Sequence, residues 1–143
     1  MPAQENKALT LRFVEEVINK GNLAACDDLV ALDFVELDPL PGQAQGREGL
    51  KQVIAMLRRA FPGLVWTVAE QVVEGDKVVS RFVWRGTHRG AFFGVPPTGR
   101  PVTLPGMVID RIAMGKMQDS RLLMDTSSLM QELGAISSSP PSA

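Results

Sequence analysis

The side chains able to do chemistry are few. The chain holds one histidine, His88, one cysteine, Cys26, and no tyrosine. A lone Cys cannot close an internal disulfide, and with a single His it cannot build a zinc centre, which takes several His, Cys or carboxylate ligands at set spacings. No metal site is expected. A Ser-His or Cys-His nucleophile would have to recruit His88, and no phenol exists to donate into an oxyanion hole. Cys26 repeats at helical spacing with Leu23, Leu29 and Val30, which reads as a small core residue and not a reactive thiol.

These residues sit on elements that the hydrophobic pattern outlines. Leu9, Phe13, Val14, Val17 and Ile18 share one face of a helix spanning about 4–20, which Gly21 ends. Asn22 is placed to cap a short second helix, after which Asp33-Phe34-Val35 turns extended. Leu50, Val53, Ile54, Leu57 and Phe61 form the clearest helical stripe, closed by Pro62-Gly63. Beyond it, 65–73 and 77–88 read as strands joined at Glu74-Gly75-Asp76, and 101–112 and 116–124 as two more joined at Met114-Gly115. Asp125 starts a short closing helix ended by Gly134, and the Ser/Pro-rich 137–143 reads as a disordered tail after one domain over 1–136. Helices first and a strand meander second predict an α+β fold, a curved antiparallel sheet wrapped around the N-terminal helices and open at one end as an apolar cavity.

A net charge of −1, with acids and bases interspersed, supplies no basic stripe for phosphate neutralisation, so nucleic acid is not an expected partner. The first residues lack the order of a secretory signal and no apolar run reaches bilayer length, which predicts a cytoplasmic protein with no membrane partner.

The stretches Trp84-Arg85-Gly86-Thr87-His88-Arg89-Gly90, Gly94-Val95-Pro96-Pro97-Thr98-Gly99-Arg100 and Asp110-Arg111-Ile112-Ala113-Met114-Gly115-Lys116 resemble the SnoaL-like polyketide cyclases of the NTF2-like superfamily. The resemblance runs from the first helix to Leu133-Gly134. It implies an NTF2-like cone, a homodimer formed through the outer sheet face, and cofactor-independent acid/base chemistry of the aldol ring-closing kind on a small hydrophobic, even polycyclic, molecule. Aldol closure needs a base near the acidic C–H, a proton donor near the receiving carbonyl, and a cavity that folds the substrate.

Position by position, the family's catalytic Asp falls on Leu122, its pocket His on Val108, and its pocket Asn near Glu36, which alone stays polar. Of the related limonene-epoxide-hydrolase-like site, an Asp-Arg-Asp set, the Arg falls on Phe82, the first Asp on Trp84 and the second Asp on Leu122, and a ketosteroid-isomerase-like site lacks its Tyr. Taken with strand alternation, the resemblance lines the cavity with Val17, Ser80, Phe82, Trp84, Val108, Gln118, Ser120 and Leu122. Glu36 becomes the leading acid/base candidate, with His88 and Asp38 behind it. The alternatives are a non-catalytic binder of hydrophobic ligands and an epoxide-hydrolase-like enzyme with a divergent site.

Overall fold

In the computed structural model, which describes residues 2–134, two layers meet along one apolar seam. The N-terminal helix is α1 (Pro2–Arg12), whose continuation over Phe13–Asn19 widens to π-helical bonding, with the Lys20 N–H reaching Glu15 O at 3.1 Å. A 3₁₀ turn (Leu23–Ala25) runs into α2 (Cys26–Leu29). Asn22 makes no side-chain cap there; the turn is opened instead by the Leu23 N–H on Gly21 O at 3.0 Å. Then follow β1 (Val30–Glu36), α3 (Gly46–Ala60), β2 (Val65–Glu74), β3 (Lys77–Thr87), β4 (Pro101–Ala113), β5 (Lys116–Met124) and α4 (Thr126–Glu132). Asp125 caps α4, accepting from the Ser128 N–H at 3.0 Å. The tail expected over 137–143 lies outside the described residues.

The sheet order is β1-β5-β4-β3-β2. β2 to β5 form the expected antiparallel meander, and the extended segment after α2 adds β1 at the far edge, parallel to β5. Register irregularities bend the sheet into the cone. One lies between Val68 and Glu70 on β2, another between Val30 and Val35 on β1, and a third inserts Gln118 into β5 opposite the step from Arg111 to Ile112. Gly106 on β4 lets the sheet close over Phe82, because a Cβ there would run into the Phe82 ring and sit 2.7 Å from Leu123 O.

Two polar clamps fasten the first helix across the sheet. The Asn19 side chain donates to Trp66 O at 2.9 Å and accepts from the Trp66 N–H at 2.7 Å. Arg58, from the last turn of α3, donates to Ile18 O and Asn19 O, both at 2.7 Å, and so satisfies carbonyls at the end of the π-helical segment. With the end of the first helix tied to β2 and to α3, the apolar stripes of the first helix and α3 face the concave side of the sheet, and the core fills with Phe13, Val17, Phe34, Ile54, Phe61, Phe82 and Trp84. Cys26 is fully buried in this core, and burial pushes its thiol up to about 11, leaving no thiolate at neutral pH.

Candidate active site

Between the helices and the sheet lies a cavity of about 90 Å³, several times the ~10–15 Å³ one water needs. Its wall is almost wholly apolar. Phe13, Val14 and Ile18 come from the first helix, Leu50, Val53, Ile54 and Leu57 from α3, and Phe34, Trp66, Val108, Met117 and Leu122 from the sheet. Five polar side chains enter it: Thr10, Glu36, Ser80, Asp110 and Ser120. Among the described residues, no Lys, Arg or His lines it.

Three of the five stand in one row across the sheet. Glu36 on β1 pairs in register with Ser120 on β5, and Ser120 pairs with Asp110 on β4. Side chains in register on neighbouring strands share a face, so both carboxyls point into the same space. Asp110 is 5% exposed, and its Oδ1 makes no hydrogen bond; neither does Oε2 of Glu36, although that atom too is buried. Burial pushes both acids up to about 7. For Asp110, hydrogen bonding from Ser120 opposes the rise and the negative charge of Asp119 adds to it. For Glu36, backbone N–H bonds from Asp38 and Leu37 oppose it, while the negative charges of Asp110 and Asp38 add to it.

The other two polar groups sit along the wall from this row. Gln71 donates through Nε2 to Thr10 Oγ1 at 2.7 Å and to Ser80 Oγ at 3.1 Å, and the Thr10 hydroxyl donates to Lys7 O at 2.8 Å. Thr10 has thus spent its proton, whereas the Ser80 hydroxyl keeps its own for an occupant of the cavity. Ser80 pairs with Val108, two residues along β4 from Asp110. The cavity therefore offers a carboxyl row at one place and a hydroxyl donor about 6–7 Å away along the strand.

The family scan matches the SnoaL-like polyketide cyclases over residues 8–133. The chain belongs to that family. Among solved structures it is similar to TsrD from Streptomyces laurentii, at 27% identity and a TM-score of 0.85, covering 93% of this chain and 97% of that one. A proposed SnoaL-like polyketide cyclase from Jannaschia sp. CCS1 matches at 28% identity and a TM-score of 0.84, covering 96% and 95%. IdmH from Streptomyces antibioticus, also a proposed polyketide cyclase, matches at 31% and 0.78, covering 90% and 98%. No curated protein matches.

Within this SnoaL-like cone, the residues singled out from sequence divide. Glu36, Ser80, Val108, Ser120 and Leu122 line the cavity. Val17, Phe82, Trp84 and Gln118 do not, each for a physical reason. Val17 is fully buried in the core. Phe82 lies over Gly106 and stacks on Trp66 with centroids 4.1 Å apart, so Trp66 is the ring presented to the cavity. Trp84 sits deeper, edge-on to Phe61 at 5.0 Å, its indole N–H on Met124 Sδ at 3.4 Å. Gln118 is the bulge residue and turns its amide to Ala113 O at 2.8 Å, while Met117 takes the inward place.

His88 is fully buried but lies away from the cavity. Its Nδ1 accepts the Thr98 N–H at 3.2 Å and lies 2.9 Å from Thr98 Oγ1. An amide can only donate, which puts the ring proton on Nε2, where it has no partner. The ring pins the connection between β3 and β4, as do the His88 N–H on Arg100 O and the Gly99 N–H on His88 O. Asp38 pairs with Arg121 at 3.4 Å and is not among the lining residues. Asp110 was missed as a site residue, though the sequence carried a signal: it falls in phase with Val102, Leu104, Val108 and Ile112, a charge on the inward face of a strand. Among the described residues, no group of three His, Cys, Asp or Glu is arranged to hold a metal.

Proposed function

We propose that the protein is a cofactor-independent acid/base enzyme of the cyclase type, acting on a small hydrophobic molecule by proton transfer of the kind that aldol ring closure requires, with Glu36 as the base. The observation that carries this reading is the unpartnered Glu36 carboxyl oxygen at the wall of an apolar cavity. A carboxylate there meets a C–H acid without competition from bulk water, and its raised affinity for protons suits a base working near neutrality. The relatives described as polyketide cyclases support the reaction class. Apolar walls supply affinity at about 25 cal/mol per Å² buried, and the ring of Trp66 offers a flat face. Glu36→Gln keeps shape and removes the base: turnover should fall by at least about 100-fold with the melting temperature within a few degrees. Wild-type turnover in the variant would sink the proposal.

A second reading, ligand binding without turnover, draws support from Leu122 and Val108, which line the cavity where relatives are expected to carry an Asp and a His. In that case planar hydrophobic compounds quench Trp66 fluorescence equally in wild type and Glu36→Gln, and no product forms. We also propose a homodimer through the convex sheet face, where Met107 pairs with Leu123 beside Ile109 and Leu123 is 72% exposed. Leu123→Lys should then halve the sedimenting mass, and an unchanged mass would exclude this interface.

A further inference from the structure

The proposed base explains only half of the carboxyl row. Asp110 is the most deeply buried acid of the cavity, it carries no ion pair, and it stands one strand beyond Ser120 from Glu36. Apolar burial of an acid with a bare oxygen has a cost that core packing alone does not require, since an Asn or Leu would fill the same place. The charged groups around the row do not relieve it. Asp38, after β1, is held by Arg121, Asp119 on β5 is held by Arg111 at 2.6 Å, and Arg47 and Lys51 of α3, which packs on β1, are paired with Asp27; none of these cations lines the cavity. Two carboxyls facing one apolar space with no cation between them cannot both ionise cheaply.

We propose that Asp110 is a second catalytic group, the acid partner of Glu36, with the two carboxyls holding a single proton on either side of Ser120 and working on an uncharged carbonyl compound. This rests on the acid/base reading above and deepens it. Glu36, with two backbone N–H donors, is the better anion; Asp110, with one hydroxyl beside it, is the better neutral acid. In the step, the Glu36 carboxylate takes a proton from the carbon next to the carbonyl, and the C–H electron pair becomes the new C=C bond. The C=O π pair moves onto oxygen, which takes the proton of Asp110. The products are a neutral enol, protonated Glu36 and ionised Asp110, so the pair ends as it began, with one proton. Both acids lie in the range where this exchange is nearly balanced. The absence of Lys, Arg and His from the wall sets the charge class: a substrate carboxylate or phosphate would meet only the negative pair.

The test uses 2-indanone as a neutral aromatic ketone probe, with ¹³C-carboxyl NMR as a readout that needs no turnover. In the unliganded wild type, the Glu36 and Asp110 resonances should titrate together near neutrality, each reporting both steps. In Asp110→Asn, Glu36 should titrate once, below the upper step of the pair. Deuterium exchange into 2-indanone in D₂O should fall about 100-fold in Asp110→Asn, and binding followed by Trp66 fluorescence should change less than about threefold. The alkaline decline of the wild-type rate should disappear from the residual rate. Exchange at the wild-type rate in Asp110→Asn, with Glu36→Gln inactive, overturns the role of Asp110 and leaves the proposed function standing. Bound 2-indanone that wild type never exchanges overturns the proposed function itself, and this inference with it. Independent single-step titrations overturn the shared proton.

Discussion

Replacing Asp110 with Asn removes a charge that the fold resists, and the consequence for stability can be worked out with its sign. The folded-state pKa is about 7 against an ordinary 3.8, raised by burial. The folded state therefore holds a proton that the unfolded chain has released, and stability is lost as pH rises. The full contribution is present below about pH 4 and disappears as pH passes through 7. Between about pH 5 and about pH 8.5 the loss attributable to Asp110 integrates to about 2–3 kcal/mol, at 1.36 kcal/mol per unit. Asn keeps the shape and a partner for Ser120 but has no proton to lose. Urea unfolding of wild type and Asp110→Asn at both pH values should show the variant losing less stability by that amount, equivalent to roughly 10 °C in melting temperature at the alkaline end. Some slope remains in the variant, because Glu36 titrates in the same direction. Parallel pH dependences in the two proteins would refute the reasoning, since they would mean that Asp110 is solvated or ionised in the fold at both pH values.

Ser120→Ala deletes the donor that holds the Asp110 carboxyl down, so the Asp110 midpoint should rise further in a ¹³C-carboxyl titration; a fall would mean that Ser120 accepts instead of donating. Gly106→Ala should force Phe82 off its stack on Trp66 and destabilise the protein by about 1–3 kcal/mol in urea unfolding, with a loss of near-UV circular dichroism. His88→Ala leaves a buried hole beneath the β3–β4 connection and should cost roughly 2–4 kcal/mol, while affinity for a cavity ligand changes little by Trp66 fluorescence.

Long periodic stretches were legible from residues alone, because each buries one face against a continuous partner. The stripe Leu50, Val53, Ile54 and Leu57 lies on α3 as expected, and the two hairpin turns fall at Gly75-Asp76 and Met114-Gly115. What the pattern could not carry was pairing at a distance. The parallel partnership of β1 with β5 depends on a register more than eighty residues apart in sequence, and so does the row that joins Glu36 to Asp110. Alternation could not choose the inner face of β5, and the family resemblance chose Gln118, Ser120 and Leu122; Ser120 and Leu122 line the cavity, whereas at Gln118 the bulge adds a residue and resets the phase. Phe82 and Trp84 share a face as alternation says, and that face is the concave one the resemblance implied, yet the concave side is deeper than the cavity, and only packing among Phe61, Trp66 and Phe82 decides which ring meets a ligand. His88 drew attention as the sole imidazole, and its hydrogen bonds to Thr98 give it a structural task.

The added residue at Gln118 makes β5 two half-strands of opposite parity. Toward the hairpin the odd position Met117 faces inward; toward α4 the even positions Ser120, buried, and Leu122, half-buried, do. Loss of the extra residue at this point therefore leaves both halves on their present faces, whereas a deletion elsewhere in the strand would invert one of them. Deleting Gln118 would remove the bulge, leave Asp119 opposite Arg111 and Met117 opposite Ile112, and so keep both the carboxyl row and Met117 on the inner face while taking out the local bend. The strand behaves as a coupling with one slipping joint, at which a residue can be lost without inverting the side chains on either side of it.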